Sequence, residues 1–321
     1  MELLVISLLN GLSYGLLLFM LSAGLTLVLS LMGVLNFAHA GFYMLGAYFG
    51  YSISALLGFF PSLLLAPIAV GGLGALVERH LLRRVHARGH VAELLLTFGL
   101  SYLIIELVQL IWGRAAVDVR IPDLLDGTLL HVYGYPFSVY RFFMIVVACA
   151  MFLAIWLGLT RSRVGLVIQA ALTHPDMARA LGHDVPRIFM GVFAGGAALA
   201  GLAGVIGGVA FVTDPQMAMA IGNIIFVVVI VGGLGSLWGA FWGALLVGVL
   251  QTLTVAVDTS FADLAQQLQA LLNLNTESPP VALTARLWQT PMSALAPLLP
   301  YVVLVVFLVL RPMGLMGRRA G

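Results

Sequence analysis

Between Leu3 and Val77 the chain contains no aspartate, glutamate, lysine or arginine. Those 75 residues make about 110 Å of α-helix at about 1.5 Å per residue, against a bilayer hydrocarbon core of about 30 Å. The stretch therefore has to fold back on itself, and three crossings fit. Breaks are expected at Leu31-Met32-Gly33 and Gly58-Phe59-Phe60-Pro61, where glycine and proline interrupt helices. Over the whole chain 62% of residues are hydrophobic and 9% are charged. The mean hydropathy is +1.10. A soluble domain carries about 25% charged residues, so the outer surface of this protein faces lipid. Met1-Glu2-Leu3 lacks a basic n-region and the apolar stretch behind it is long, so the N-terminus reads as a first span rather than a cleavable signal.

A fourth crossing is expected at about 91–112 and a fifth at about 140–160. From Ile188 to Val257 the only charge is Asp214, beside Pro215. One pass precedes it, and two short passes follow, broken at Gly232-Gly233-Leu234-Gly235. A last pass covers about 295–310. The fold class is an all-α polytopic transmembrane helix bundle of nine passes, give or take one.

Arginine placement sets the expected orientation, because short cytoplasmic loops retain basic residues. Arg79, Arg83, Arg84 and Arg88 form one group, Arg161, Arg163, Arg179 and Arg187 a second, and Arg311, Arg318 and Arg319 a third. Nine passes put all three, 11 of the 15 arginines, on one side. The N-terminus is then outside and the C-terminus cytoplasmic. Parity also suggests two halves of opposite orientation, at 1–113 and 188–311, joined by a linking helix at 140–160 and a cytoplasmic loop at 161–187. A faint echo between 32–48 and 232–246 agrees, and 258–294 reads as an extracytoplasmic insertion. All of this is one membrane domain.

Several chemistries are absent. All 15 basic residues are arginine, and a Walker-type phosphate loop or a Schiff base needs lysine. The single cysteine, Cys149, excludes an internal disulfide and a cysteine-ligated metal site. No HExxH or GxSxG occurs, so no catalytic constellation is visible.

Four stretches resemble one family. They are Gly24-Leu25-Thr26-Leu27-Val28 with Gly33-Val34-Leu35-Asn36-Phe37-Ala38-His39 and Tyr43-Met44-Leu45-Gly46-Ala47-Tyr48; Thr160-Arg161-Ser162-Arg163-Val164-Gly165 with Ala170-Ala171, Pro175-Asp176-Met177-Ala178 and Ala180-Leu181-Gly182; Val231-Gly232-Gly233-Leu234-Gly235-Ser236 with Gly239-Ala240 and Gly243; and Arg311-Pro312-Met313-Gly314-Leu315-Met316-Gly317. In this order they are similar to the LivH-type permeases of branched-chain amino acid ATP-binding-cassette importers. The sequence departs from the family at Gln169, where arginine is usual, at Ala40-Gly41 in place of Gly-Glu, and in the length of 258–295.

The resemblance implies alternating access, with a second homologous permease or a second copy, two ATPases holding ATP and magnesium, and a periplasmic binding protein as partners in the inner membrane. No cofactor is expected on this chain itself. Lipid surrounds it, and no nucleic-acid partner is implied. Arg161, Arg163, Gly165, Ala170, Ala171, Pro175, Asp176, Met177, Ala178 and Gly182 are the candidate ATPase-coupling residues. Physically, Ala170-Ala171-Leu172 and Met177-Ala178 give a small flat helical face, Pro175 suits a first turn, and Gly182 suits a helix stop. A plain connecting loop held by lipid headgroups is the alternative.

Candidates for the translocation path are Asn36, Phe37, His39, Phe42, Tyr43, Glu106, Asn223, Gly232, Gly233, Gly235 and Ser236. Polar groups at membrane depth either face a water-filled path or bond to neighbouring helices. Both readings stand for Asn36, His39 and Asn223, and solvation at the outer end competes for Glu106. The glycines of 191–208 read as packing sites. An ion-coupled carrier and a channel with two re-entrant half-helices are the competing functions.

Overall fold

The computed structural model describes residues 2–86, 88–257, 259–260, 262–263 and 290–317. Most of the expected insertion at 258–294 lies outside these, as do Arg318 and Arg319. The helices are α1 (Glu2–Met32), α2 (His39–Leu57), α3 (Phe59–Val77), α4 (Arg83–His86), α5 (His90–Trp112), α6 (Val139–Thr160), α7 (Arg163–Thr173), α8 (Pro175–Ala180), α9 (Val185–Ala210), α10 (Met217–Gly232), α11 (Leu237–Ala256), α12 (Met292–Leu295) and α13 (Leu299–Leu310). An antiparallel hairpin, β1 (Thr128–Val132) and β2 (Tyr135–Ser138), precedes α6.

Eight stretches among the described residues are long and apolar enough to span a bilayer, and Met217–Gly232 is a shorter apolar helix. At 16 residues it measures about 24 Å. The expected breaks at Gly33, Gly58 and Gly233 all fall where helices end. Following the spans back and forth puts two sets of segments at opposite ends. At one lie α4, α7, α8, the 33–38 and 233–236 turns and the 311–317 tail. The hairpin and residues 211–216 lie at the other, where Val117 pairs with Thr213.

Burial grades across the bundle. The most apolar window of α1 is 78% buried, and that of Met292–Leu310 only 11%. Helix α1 is thus an internal strut, packed on α9 and α11, while the last span faces outward. Lipid supplies no hydrophobic drive between helices, so close contact comes from small residues. Helices α2 and α9 cross where Gly46 meets Gly201, and a Cβ on Gly204 would run into the Tyr43 carbonyl oxygen and lie 2.8 Å from Ala47 N. Gly71 and Gly74 of α3 meet Ala194, Ala197 and Ala198 of α9. Within α9, however, Gly191 and Gly195 face open space, so the packing role expected of every glycine there holds for only part of the set.

The Gly-punctuated stretches from Met32 and from Gly232, expected to echo one another, begin at the same end of the bundle, where the second meets the last turn of α1. A Cβ on Gly235 would lie 3.3 Å from Ser30 Cβ.

Two features were not expected. First, the 79–88 segment is mostly helical rather than a loop. Helix α3 passes through a π-turn at Glu78–Leu82 directly into α4. Buried Glu78 is held there by Arg83, with Nη2 donating at 2.7 Å and Nε at 3.2 Å. Arg83 also donates to the Pro186 carbonyl at 2.7 Å, tying α3 to the start of α9. Arg83→Ala leaves a buried carboxylate without its cation, at a cost of about 2–3 kcal/mol. Thermal unfolding temperature in detergent is expected to fall accordingly, and Glu78→Gln added to it is expected to recover much of the loss. A double variant as unstable as the single would contradict the pairing.

Second, the tail closes over α10. Leu315 N–H donates to Val231 O at 2.8 Å and Met316 N–H to Gly232 O at 3.0 Å. Terminal carbonyls of a helix have no intrahelical donor, and here the tail supplies it.

Candidate functional site

The 161–187 region folds back against the bundle as two short helices. Ser162 Oγ caps α7 by accepting Gly165 N–H at 2.9 Å. Gly165 is needed at this reversal because a Cβ would collide with the Gly158 and Leu159 carbonyls. Gln169 Nε2 donates to Leu159 O at 2.9 Å, so this departure from the family pattern has a structural contact of its own. Pro175 opens α8 in its first turn. Gly182, at φ +86°, closes it: Gly182 N–H donates to Arg179 O at 2.9 Å and His183 N–H to Ala178 O at 3.0 Å. This paired arrangement is the Schellman stop that the glycine implied.

Two of the three alanines behave differently from expectation, while Ala170 is exposed as expected. Ala171 and Ala178 are buried with Val185, against Ile188 and Phe189. Their small size lets α7 and α8 lie close on the start of α9, so they are not an outward flat face. Outward-facing apolar residues include Leu166, Met177 and Leu181, which are 63%, 72% and 79% exposed. With Ala170, His174 and His183 they surround a shallow apolar cavity of about 430 Å³. Arg161 and Arg163 are exposed beside it, and among the described residues neither meets a carboxylate. Asp176 pairs with Arg179 at 3.3 Å, both exposed, a contact worth little in water.

Beneath this surface lies a charged cluster that sequence reasoning missed. Glu93, at the start of α5, is buried between His86 and His90. A cavity of about 250 Å³, reached by Glu78, Arg83, His86, Arg179 and Phe189, separates the π-turn of α3 from α8 and α9. Two carboxylates interleaved with four arginines and three histidines between 78 and 93 were the available signal.

The path candidates divide. Asn36 is buried and its Oδ1 accepts Ala38 N–H at 3.0 Å, organising the entry to α2. His39 Nε2 bonds to the Leu21 carbonyl of α1 at 3.0 Å. Phe42 packs edge-on against Phe193, with ring centroids 6.0 Å apart, and Tyr43 is buried against Gly207. Gly232, Gly233, Gly235 and Ser236 build the α10–α11 turn, where Ser236 Oγ caps α11 by accepting Gly239 N–H at 3.1 Å. Among the described residues these side chains and glycines join helices to one another.

Phe37, Glu106 and Asn223 are different, because they are exposed. Helices α5 and α10 flank α2: Gly41 touches Ile104, and Ala40 touches Gly222. That register puts Glu106 and Asn223 on either rim of α2 at similar depth. Phe37 lies between Phe98 and Phe226, with centroids 6.3 and 4.7 Å away, and Tyr102 packs on Phe98 at 5.0 Å. The strip is therefore aromatic, with one carboxylate and one amide. Phe98, Tyr102 and Glu106 were legible as a helical face, since residues four apart share one side.

Comparison with known proteins agrees with this architecture. Residues 7–276 match the family described as branched-chain amino acid transport system / permease component. The high-affinity branched-chain amino acid transport system permease protein LivH of Salmonella typhimurium is 31% identical over 273 residues, covering 79% of this chain and 87% of the relative. The permease protein BraD of Pseudomonas aeruginosa is 29% identical, covering 76% and 84%. A probable LivH of Methanocaldococcus jannaschii is 28% identical, covering 75% and 78%. No solved structure matches. A polytopic bundle with a folded-back two-helix loop, matched over most of its length, belongs to the branched-chain amino acid transport permease family.

Proposed function

We propose that this chain is the membrane-spanning subunit of an ATP-driven importer in the inner membrane, moving branched-chain or related small amino acids by alternating access. The observation that carries the reading is the solvent-facing apolar surface of Leu166, Met177 and Leu181 on a loop whose other side is packed onto α9. Such a surface suits helix-in-groove docking by a partner, and its packed base passes motion to the spans on either side. Arginine placement supports assigning that end to the cytoplasm, where two ATPases with bound ATP and magnesium would engage it.

The exposed strip of α5, α2 and α10 supports a pathway shared with a second permease subunit. Its aromatic surface suits an apolar side chain, and the Glu106 carboxylate suits an ammonium group. A binding protein would deliver the solute at the opposite end. The names of the relatives support branched-chain amino acids as the cargo.

The test is purification from the native membrane followed by reconstitution. Two Walker-motif ATPases and a second permease are expected to co-purify, and leucine uptake into liposomes is expected only with ATP and the full assembly. Uptake by the chain alone, driven by an ion gradient or by the solute gradient itself, would replace this reading with a carrier or a channel.

A further inference from the structure

At the end opposite the coupling helices, α1, α6, α9 and α11 surround a cavity of about 640 Å³ that the transport reading does not use. Its wall carries Asn10, Ser13, Tyr14, Arg141, Gln251 and Thr252. Arg141 sits in the first turn of α6 (Val139–Thr160). A helix begins with a partial positive charge, so a cation there adds to a like charge instead of offsetting it. The first turn of α6 holds no acidic residue. Among the described residues Arg141 meets no carboxylate; its partner is the side-chain carbonyl oxygen of Asn10.

Across the cavity Gln251 Oε1 is buried with no donor. Turning that amide over replaces the unpaired acceptor with an NH₂ donor on the cavity wall, an exchange that heavy-atom positions scarcely distinguish. The cavity thus concentrates an uncompensated guanidinium, a helix N-terminus and side-chain amides, which together select an oxyanion. Its remaining wall is apolar, from Ile121, Met144, Val209 and Phe211. The side chains beside it on α6 and α11, Phe142, Val146 and Val255, are 47%, 48% and 56% exposed, a surface that belongs in the lipid boundary.

We propose that this cavity binds the phosphodiester headgroup of an anionic phospholipid, seated between Arg141 and Gln251 with its glycerol end against the apolar wall. The assignment stands apart from the transport function, since it needs only that the bundle lies in a bilayer.

Native mass spectrometry of the full chain in detergent tests it, with phosphatidylglycerol, phosphatidylcholine and inorganic phosphate as probes. Phosphatidylglycerol is expected to bind in preference to phosphatidylcholine, about tenfold more weakly in Arg141→Gln and near wild type in Arg141→Lys. Gln251→Leu, which keeps the charge, is expected to weaken binding several-fold. Equal binding to wild type, Arg141→Gln and Gln251→Leu would overturn the site. Arg141-dependent binding of inorganic phosphate that excludes phosphatidylglycerol would overturn the lipid and leave a free-anion site.

Discussion

Gly204→Leu is expected to leave almost no folded protein in the membrane, while Gly191→Leu, earlier on the same helix, is expected to be nearly silent. A Cβ at position 204 already meets the backbone of α2, at Tyr43 O and Ala47 N, and lies 3.0 Å from Gly46 Cα. Backbone cannot move aside as a flexible side chain can, so α2 and α9 must separate. Overpacking costs about 1–3 kcal/mol where side chains yield, and separating a crossing built on Gly46, Gly201 and Gly204 costs more. Native proteins hold about 5–15 kcal/mol in reserve, so the loss consumes a large share. Gly191 faces open space, which makes it the control for helix propensity and hydrophobicity alone. The measurement is the monodisperse fraction after detergent extraction. Similar yields for the two variants would mean that the α2–α9 crossing is not as close as described.

The second large effect concerns the outward face of α7 and α8. Met177→Asp combined with Leu181→Asp is expected to abolish co-purification of the ATPases and ATP-driven uptake, with the monodisperse fraction unchanged. Both side chains are largely exposed, so the folded chain loses little by their replacement. At a docking interface such anchors are worth about 2–4 kcal/mol each, so losing both weakens association by a factor of roughly a thousand or more. Ala171→Asp is expected to do the reverse and reduce the folded yield, since Ala171 is buried. A double variant that loses its folded fraction, or one that retains its ATPases and full uptake, would remove this face from the docking role.

That contrast shows where the sequence was legible. Composition and the uncharged run from Leu3 predicted the bundle, because lipid tolerates few alternatives. Helix breaks at Gly33, Gly58 and Gly233 were readable, as was the Gly182 stop, because each requires a backbone conformation that other residues resist. Small residues were not readable in the same way. An alanine that lets two helices of one chain approach looks the same as one that lets a partner approach, so Ala171 and Ala178 were placed on the wrong side of α7 and α8.

Burial of Phe42 and Tyr43 was hidden for a related reason: residues 40–50 of α2 are small, apolar or aromatic on every side, so periodicity cannot say which side meets α9. The arginines near 79–88 suggested a loop through their charge. The structure keeps them mostly helical, because Glu78 and Glu93 give Arg83, His86 and His90 something to bond to near the membrane boundary.

The tail that donates to Val231 and Gly232 has a consequence for biosynthesis. A segment as short as α10 is a poor substrate for independent insertion, and the donors for its last carbonyls are translated only after α11 and α13. Until residues 315 and 316 leave the ribosome, the carbonyls of Val231 and Gly232 lack the donors that the finished fold gives them. The order of translation therefore completes the capping of α10 only after every other described span has been made.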